Sequence, residues 1–203
     1  MALSMVHLLA AHRWAAGRPE YFESPEFYLG AISPDAMHIR FLNDKSRKNE
    51  FHLGNWVSVA EENVHAYWRE RFEPFDVGYG IHVLTDGHWI PCVKRDFPEF
   101  VNELGNVRPM PYYNDVYQTD YALYRDAPER GPLFELLKIA RPPSDHPMLS
   151  EAELSQWRDE QLTFYDRPCP HGEPVGHIDP NYIRRFLDEL IPKLEAITGR
   201  YFL

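Results

Sequence analysis

A chain of 203 residues with 12 Tyr, 12 Phe and 5 Trp is long enough for one domain with a substantial aromatic core. Its formal net charge of -10 argues against binding long nucleic acid or an anionic membrane through the protein's own field. The two cysteines, Cys92 and Cys169, lie far apart and form no CxxC pair, which excludes a disulfide framework and fits a reduced, cytoplasmic protein.

Residues 5–16 place Val6, Leu9, Ala10 and Trp14 at helical spacing. His7, His12 and Arg13 interrupt this apolar run, so it reads as the first amphipathic helix of a non-exported chain rather than a membrane span. His7 falls on or beside the inward stripe, where a core histidine bonded to a carbonyl is the ordinary occupant. Ser24-Pro25-Glu26 combines an N-cap, a first-turn proline and an early acid, predicting a short helix through Phe27 and Leu29. Ser33-Pro34 breaks it, because the residue before proline is pushed toward extended geometry. Asp35 is thereby presented at a bend, either as a cap for the next turn or as a carboxylate free of helical neighbours. Residues 43–50 are polar and read as a solvated loop carrying Lys45, Arg47 and Lys48. His52 ends that loop, and a long helix is expected from about Trp56 to Phe72, with Val57, Ala60, Val64, Tyr67 and Trp68 on its apolar face. His65, within it, reads as solvent-facing or structural.

Pro74 opens a central helix expected to end near Pro91. It carries His82 and Asp86, spaced so that both side chains stack on one face, one turn apart. Ile81, Val83, Leu84 and Trp89 surround them, so the helix runs through the core and its carboxylate needs a partner. An imidazole and a carboxylate on one face begin many zinc-type sites, although an isolated pair more often satisfies itself. Arg108-Pro-Met-Pro111 reads as a rigid connector, and residues 112–124 as a helix able to turn Asp115 or Asp120 inward. Leu133–Ile139 and Glu151–Phe164 are predicted helices, and 167–177 an irregular loop. Asp179 caps a final helix through Ile197, with Ile183, Phe186, Leu187, Leu190 and Leu194 facing inward. Alternating strands, internal repeats and a Gly-rich phosphate loop are all missing from the sequence, as are G-x-S-x-G and H-E-x-x-H. The expected architecture is an all-α, single-domain helical bundle over 1–203, with a metal-site core at 5–125 and a helical C-terminal extension at 126–203.

Asp35 at a break, His52 before a helix and His82-x3-Asp86 inside one supply two imidazoles and two carboxylates. That donor set suits a zinc-type hydrolytic site with one position left for water. In order and spacing it resembles the zinc-dependent phospholipase C family, whose all-helical fold is shared by fungal zinc-dependent single-strand nucleases. The resemblance covers 5–125 and rests on Gly30-Ala-Ile-Ser-Pro34-Asp35, then His52, then His82-x3-Asp86. It implies a helical bundle of that type, with Asp35, His52, His82 and Asp86 as metal ligands and His7 as the pattern's early histidine. The pattern's next histidine would fall at position 90, which is Ile, leaving His88 as the nearest substitute. Its later His-x3-Glu pair falls on Asn114 to Gln118, where Asp115 is the nearest carboxylate.

The resemblance further implies at least one zinc or similar divalent transition metal. It implies hydrolysis of a small phosphoester or phospholipid headgroup by metal-activated water, with Asp35 or Asp86 orienting or deprotonating that water. Lys45, Arg47 and Lys48 would steer an anionic substrate, or simply solvate their loop. Two other readings stay open. One is a non-catalytic helical protein with a structural metal, whose four protein ligands leave water no place. The other is a metal-free helical domain in which these residues form a buried polar network.

Overall fold

Helix-forming stretches with an inward apolar stripe, separated by prolines and capping residues, account for nearly the whole path of the chain. The computed structural model describes residues 2–42, 44, 46–55, 57–58, 60–102, 107 and 109–202; Lys45, Trp56 and Arg108 lie outside them. In chain order the helices are α1 (Ser4–Ala15), α2 (Pro19–Phe22), α3 (Pro25–Ile32), α4 (Met37–Phe41), α5 (Lys48–Phe51) and α6 (Ala60–Glu70). They continue with α7 (Pro74–Asp96), α8 (Pro109–Asp126), α9 (Arg130–Ile139), α10 (Glu151–Phe164) and α11 (Pro180–Phe202). A 3-10 turn, Ser33–Ala36, joins α3 to α4. The fold is all-α: among the described residues the sole β contact is an isolated bridge between Val101 and Val107. No described helix is long and apolar enough to cross a membrane.

The bundle is built around α7, which is buried without interruption from Phe75 to Asp86. A helix buried on every side must be apolar all round, and its few polar groups must find partners. Thr85 does so within the helix, its hydroxyl donating to the Ile81 carbonyl at 2.8 Å. The most extensive helix–helix contact is that of α3 with α7. Glycine makes it possible: a Cβ on Gly30 would lie 2.0 Å from the Phe75 carbonyl oxygen, and one on Gly78 would lie 2.0 Å from that of Phe27. Only hydrogen at both positions lets the two backbones touch, and the residues that follow α3 are thereby held against the middle of α7.

The local signals act as expected at several helix starts. Ser24 accepts the Phe27 N–H at the start of α3, Ser150 and Glu153 form a complete capping box on α10, and Asp179 accepts the Tyr182 N–H at 2.7 Å. Ile183, Phe186, Leu187, Leu190 and Leu194 of α11 are buried in the same core as α1 and α7. The segment after 126 therefore shares one apolar interior with the rest of the chain.

Several expectations are corrected. Ser33, expected to be extended before Pro34, keeps helical angles (φ -74°, ψ -27°) and opens the 3-10 turn. The helix after His52 begins at Ala60, and Val57, placed on its apolar face, is exposed. The central helix does not end at Pro91 but runs on to Asp96. Proline there removes one backbone donor, yet the continued helix buries Cys92 and Val93, and that burial outweighs the lost bond. Residues 46–51 are not simply a solvated loop either. Lys48–Phe51 forms a helical turn with Lys48 and Phe51 buried, while Arg47 stays exposed and pairs with Glu50 at 2.5 Å.

Candidate metal centre

The fold brings five sequence-predicted residues into one buried cluster. His7 comes from α1, Asp35 from the 3-10 turn after α3, His52 from the residue after α5, and His82 and Asp86 from α7. Their relative exposures are 1%, 7%, 0%, 1% and 0%. Only Asp35 approaches solvent.

Two of the three imidazoles are oriented from behind. The Nδ1–H of His82 donates to the Ala31 carbonyl at 2.8 Å, and Nδ1 of His52 faces the Lys48 carbonyl at 3.2 Å. A carbonyl only accepts, so both Nδ1 atoms carry hydrogen and both Nε2 atoms of the neutral rings are lone pairs. Those two Nε2 atoms lie 3.3 Å apart. Burial pushes the His52 imidazolium down to about 4, helped by the Lys48 ammonium; burial, then the neighbouring His7, pushes His82 well below its ordinary value. At neutral pH two acceptors therefore face each other with no proton between them.

Carboxylates close the cluster. His52 Nε2 lies 3.5 Å from Asp35 Oδ1 and 3.5 Å from Asp86 Oδ2. His82 Nε2 lies 3.9 Å from Asp35 Oδ2 and 4.0 Å from Asp86 Oδ2. His7 stacks flat on His82, ring centroids 3.6 Å apart and 8° from parallel, with its Nε2 3.5 Å from Asp86 Oδ1. Neither nitrogen of His7 and not the Oδ1 of Asp35 has a hydrogen-bond partner, although all three atoms are buried. Buried polar atoms left unpaired are costly, and here they belong to two members of the same cluster.

The spacing matches a metal. Ligand atoms about 2.0–2.1 Å from a tetrahedral zinc lie roughly 3.3–3.5 Å from one another. The distances given above run from that value to 4.0 Å. Two triads have donor atoms within 4.8 Å of one another: His7, Asp35 and His82, and His52, His82 and Asp86. The donor set of imidazole nitrogen and carboxylate oxygen is that of zinc and related divalent ions. The outer bonds to Ala31 and Lys48 do what the second shell of a metal site does, fixing tautomer and ring direction.

Three groups at the centre were not anticipated. The Lys48 ammonium is buried, 2.8 Å from Asp86 Oδ2 and 4.0 Å from Asp35 Oδ1. The backbone N–H of Ala2 donates to Asp86 Oδ1 at 3.0 Å, and the Ala31 carbonyl holds His82. Burial by itself would raise both carboxylates; the Lys48 ammonium and the surrounding donors reverse this and hold Asp35 and Asp86 below the usual carboxylate range. The Lys48-x3-His52 spacing is the signal for the lysine, since it puts both on one helical face. Backbone groups such as Ala2 N–H leave no trace in residue identity.

The two weaker candidates lie elsewhere. Asp115 is buried, but its carboxylate accepts the N–H groups of Val175, Gly176, His177 and Ile178 at 2.6, 3.0, 2.8 and 3.0 Å. It organises the loop before α11 and has no lone pair aimed at the cluster. Asp120 accepts the Met5 N–H at 3.1 Å and the Tyr165 hydroxyl at 2.5 Å, tying α8 to α1 and to the end of α10. His88 points Nδ1 at the Leu84 carbonyl, 2.9 Å away. It lines a cavity of about 430 Å³ with Cys92, Arg95 and Lys193 that contains none of the five cluster residues. Position 88 is two residues past Asp86, about 200° around the helix, so it cannot share that face.

A second cavity, about 270 Å³, does reach the cluster. Asp35 forms part of its wall, with Tyr117, Trp157, Phe164, His38 and Arg167 around it. Asp35 thus joins the two: its unpaired Oδ1 is buried against His52 and Lys48, while the residue itself forms part of the pocket wall. No protein-family profile, curated protein or solved structure matches this chain.

Proposed function

We propose that the cluster binds zinc or a similar divalent transition metal and that the protein is a metal-dependent phosphoester hydrolase, a divergent relative of the zinc-dependent phospholipases C. The observation carrying the metal assignment is the set of inward-facing acceptors. His52 Nε2, His82 Nε2, His7 and the oxygens of Asp35 and Asp86 converge at 3.3–4.0 Å. A cation is the natural partner for such a set, and the unpaired buried atoms of His7 and Asp35 fit one. When bound, the metal supplies Lewis acidity toward a phosphoryl oxygen and a water of lowered pKa.

The chain's own groups divide the remaining work. Asp86 is locked by Ala2 and Lys48, which suits holding the centre and not moving a proton. Asp35, which forms part of the pocket wall, is the group placed to orient a water and accept its proton. Arg167 lines the same pocket and offers a cation for a phosphoryl oxygen. The pocket's volume of about 270 Å³ suits a small phosphoester or a headgroup, with Tyr117, Trp157 and Phe164 as aromatic wall and Asp120 and Glu160 as acidic neighbours of Arg167.

The test is elemental analysis beside a phosphodiester hydrolysis assay on wild type, Asp35→Asn and His82→Ala. One or more equivalents of metal in wild type, lost in His82→Ala, and hydrolysis abolished in both variants are expected. A folded wild type that takes up no metal under saturating zinc refutes the reading. A metal retained with no hydrolysis of any phosphoester would leave a structural metal protein.

A further inference from the structure

The two donor triads of the cluster overlap: both require His82. The Nδ1–H of that ring is committed to the Ala31 carbonyl, so Nε2 is its only lone pair, and one lone pair coordinates one metal ion. The triads cannot both be complete at the same time. Lys48 Nζ, 2.8 Å from Asp86 Oδ2 and 4.0 Å from Asp35 Oδ1, already bridges the carboxylates where a second cation would have to bind.

Building on the metal reading above, we infer that the centre is mononuclear and that Lys48 is a built-in monovalent counter-ion standing in the place of a second metal. The lysine also keeps the carboxylates together before metal arrives. It therefore competes with the metal for Asp86 and sets how tightly the metal is held.

The experiment is zinc titration of metal-free wild type, Lys48→Gln and Lys48→Arg, read by calorimetric stoichiometry and by zinc-induced change in melting temperature. Wild type and Lys48→Arg are expected to bind one equivalent. Lys48→Gln is expected to melt lower without metal, to be raised more by zinc, and to bind the first zinc at least tenfold tighter. Two tight equivalents in wild type would overturn the inference while the metal reading stands. So would Lys48→Gln binding zinc no tighter than wild type. If Lys48→Gln is unfolded without metal, recovery of its fold by one or two equivalents of zinc is the expected result, and failure to recover overturns the counter-ion role. No zinc bound by folded wild type removes the metal reading and this inference with it.

Discussion

Gly78→Ala tests whether the close crossing of α3 and α7 positions the cluster. A methyl group at 78 would sit 2.0 Å from the Phe27 carbonyl oxygen, whereas ordinary contact begins near 3.4 Å. The helices must therefore part by about 1.4 Å at that point. The obstacle is backbone, so no side-chain rotation relieves it. Overpacking of this kind costs roughly 1–3 kcal/mol or more. The same displacement stretches the 2.8 Å bond from His82 to Ala31, which spans this crossing, and an orphaned buried donor costs a further ~1–3 kcal/mol. Against these stands the helix-propensity gain of alanine over glycine, about 1 kcal/mol. The balance is destabilising by about 1–5 kcal/mol, centred near 3. For a chain of this size that lowers the melting temperature by roughly 5–15 °C. Thermal unfolding followed by circular dichroism measures it, and zinc titration of the variant should show affinity reduced at least tenfold because His82 loses its orientation. A variant that melts at or above wild type would mean that propensity alone decides and that α3 and α7 do not constrain each other here.

Asp115→Asn should cost about 2–3 kcal/mol, since a neutral amide replaces a carboxylate that satisfies four backbone donors. Limited proteolysis should then cut faster within 167–179 while zinc binding persists; loss of zinc instead would place Asp115 in the metal centre. Asp120 is pushed up to about 7 by burial. A raised carboxyl contributes stability that is fully present below its unfolded value of about 3.9 and is lost as pH rises through 7. Asp120→Asn should therefore flatten the decline in melting temperature between pH 4 and 8 and exceed wild type at pH 8. Parallel curves for the two proteins would refute that assignment. His88→Ala should leave zinc affinity within twofold of wild type, because the ring faces the separate cavity with Cys92 and Lys193; His52→Ala should abolish tight binding, as measured by the same titration.

The sequence by itself determined the class of the fold and named the residues that meet in the candidate centre. Helix starts at Ser24-Pro25 and Ser150, and the inward stripe of α11, depend on interactions within a turn or two, which residue order records directly. His82 and Asp86 were legible for the same reason: their alignment is a property of one helix. Asp35, His52 and His7 could be named from order and spacing, but their meeting at one point depends on how α1, α3 and α5 pack on α7. That packing hangs on Gly30 and Gly78, whose role appears only when two backbones are seen to touch. Lys48 was misplaced because a charged residue in a polar run is usually solvated. Its burial is decided by two carboxylates from elements 13 and 38 residues away in the chain. Asp115 was misassigned because four backbone N–H groups of a distant loop claim its carboxylate, and backbone donors carry no residue signature. Likewise, the length of α7 past Pro91 was set by burial of Cys92 and Val93. Local periodicity fixes which residues face inward, but the partner each one meets there is a long-range outcome of packing and electrostatics.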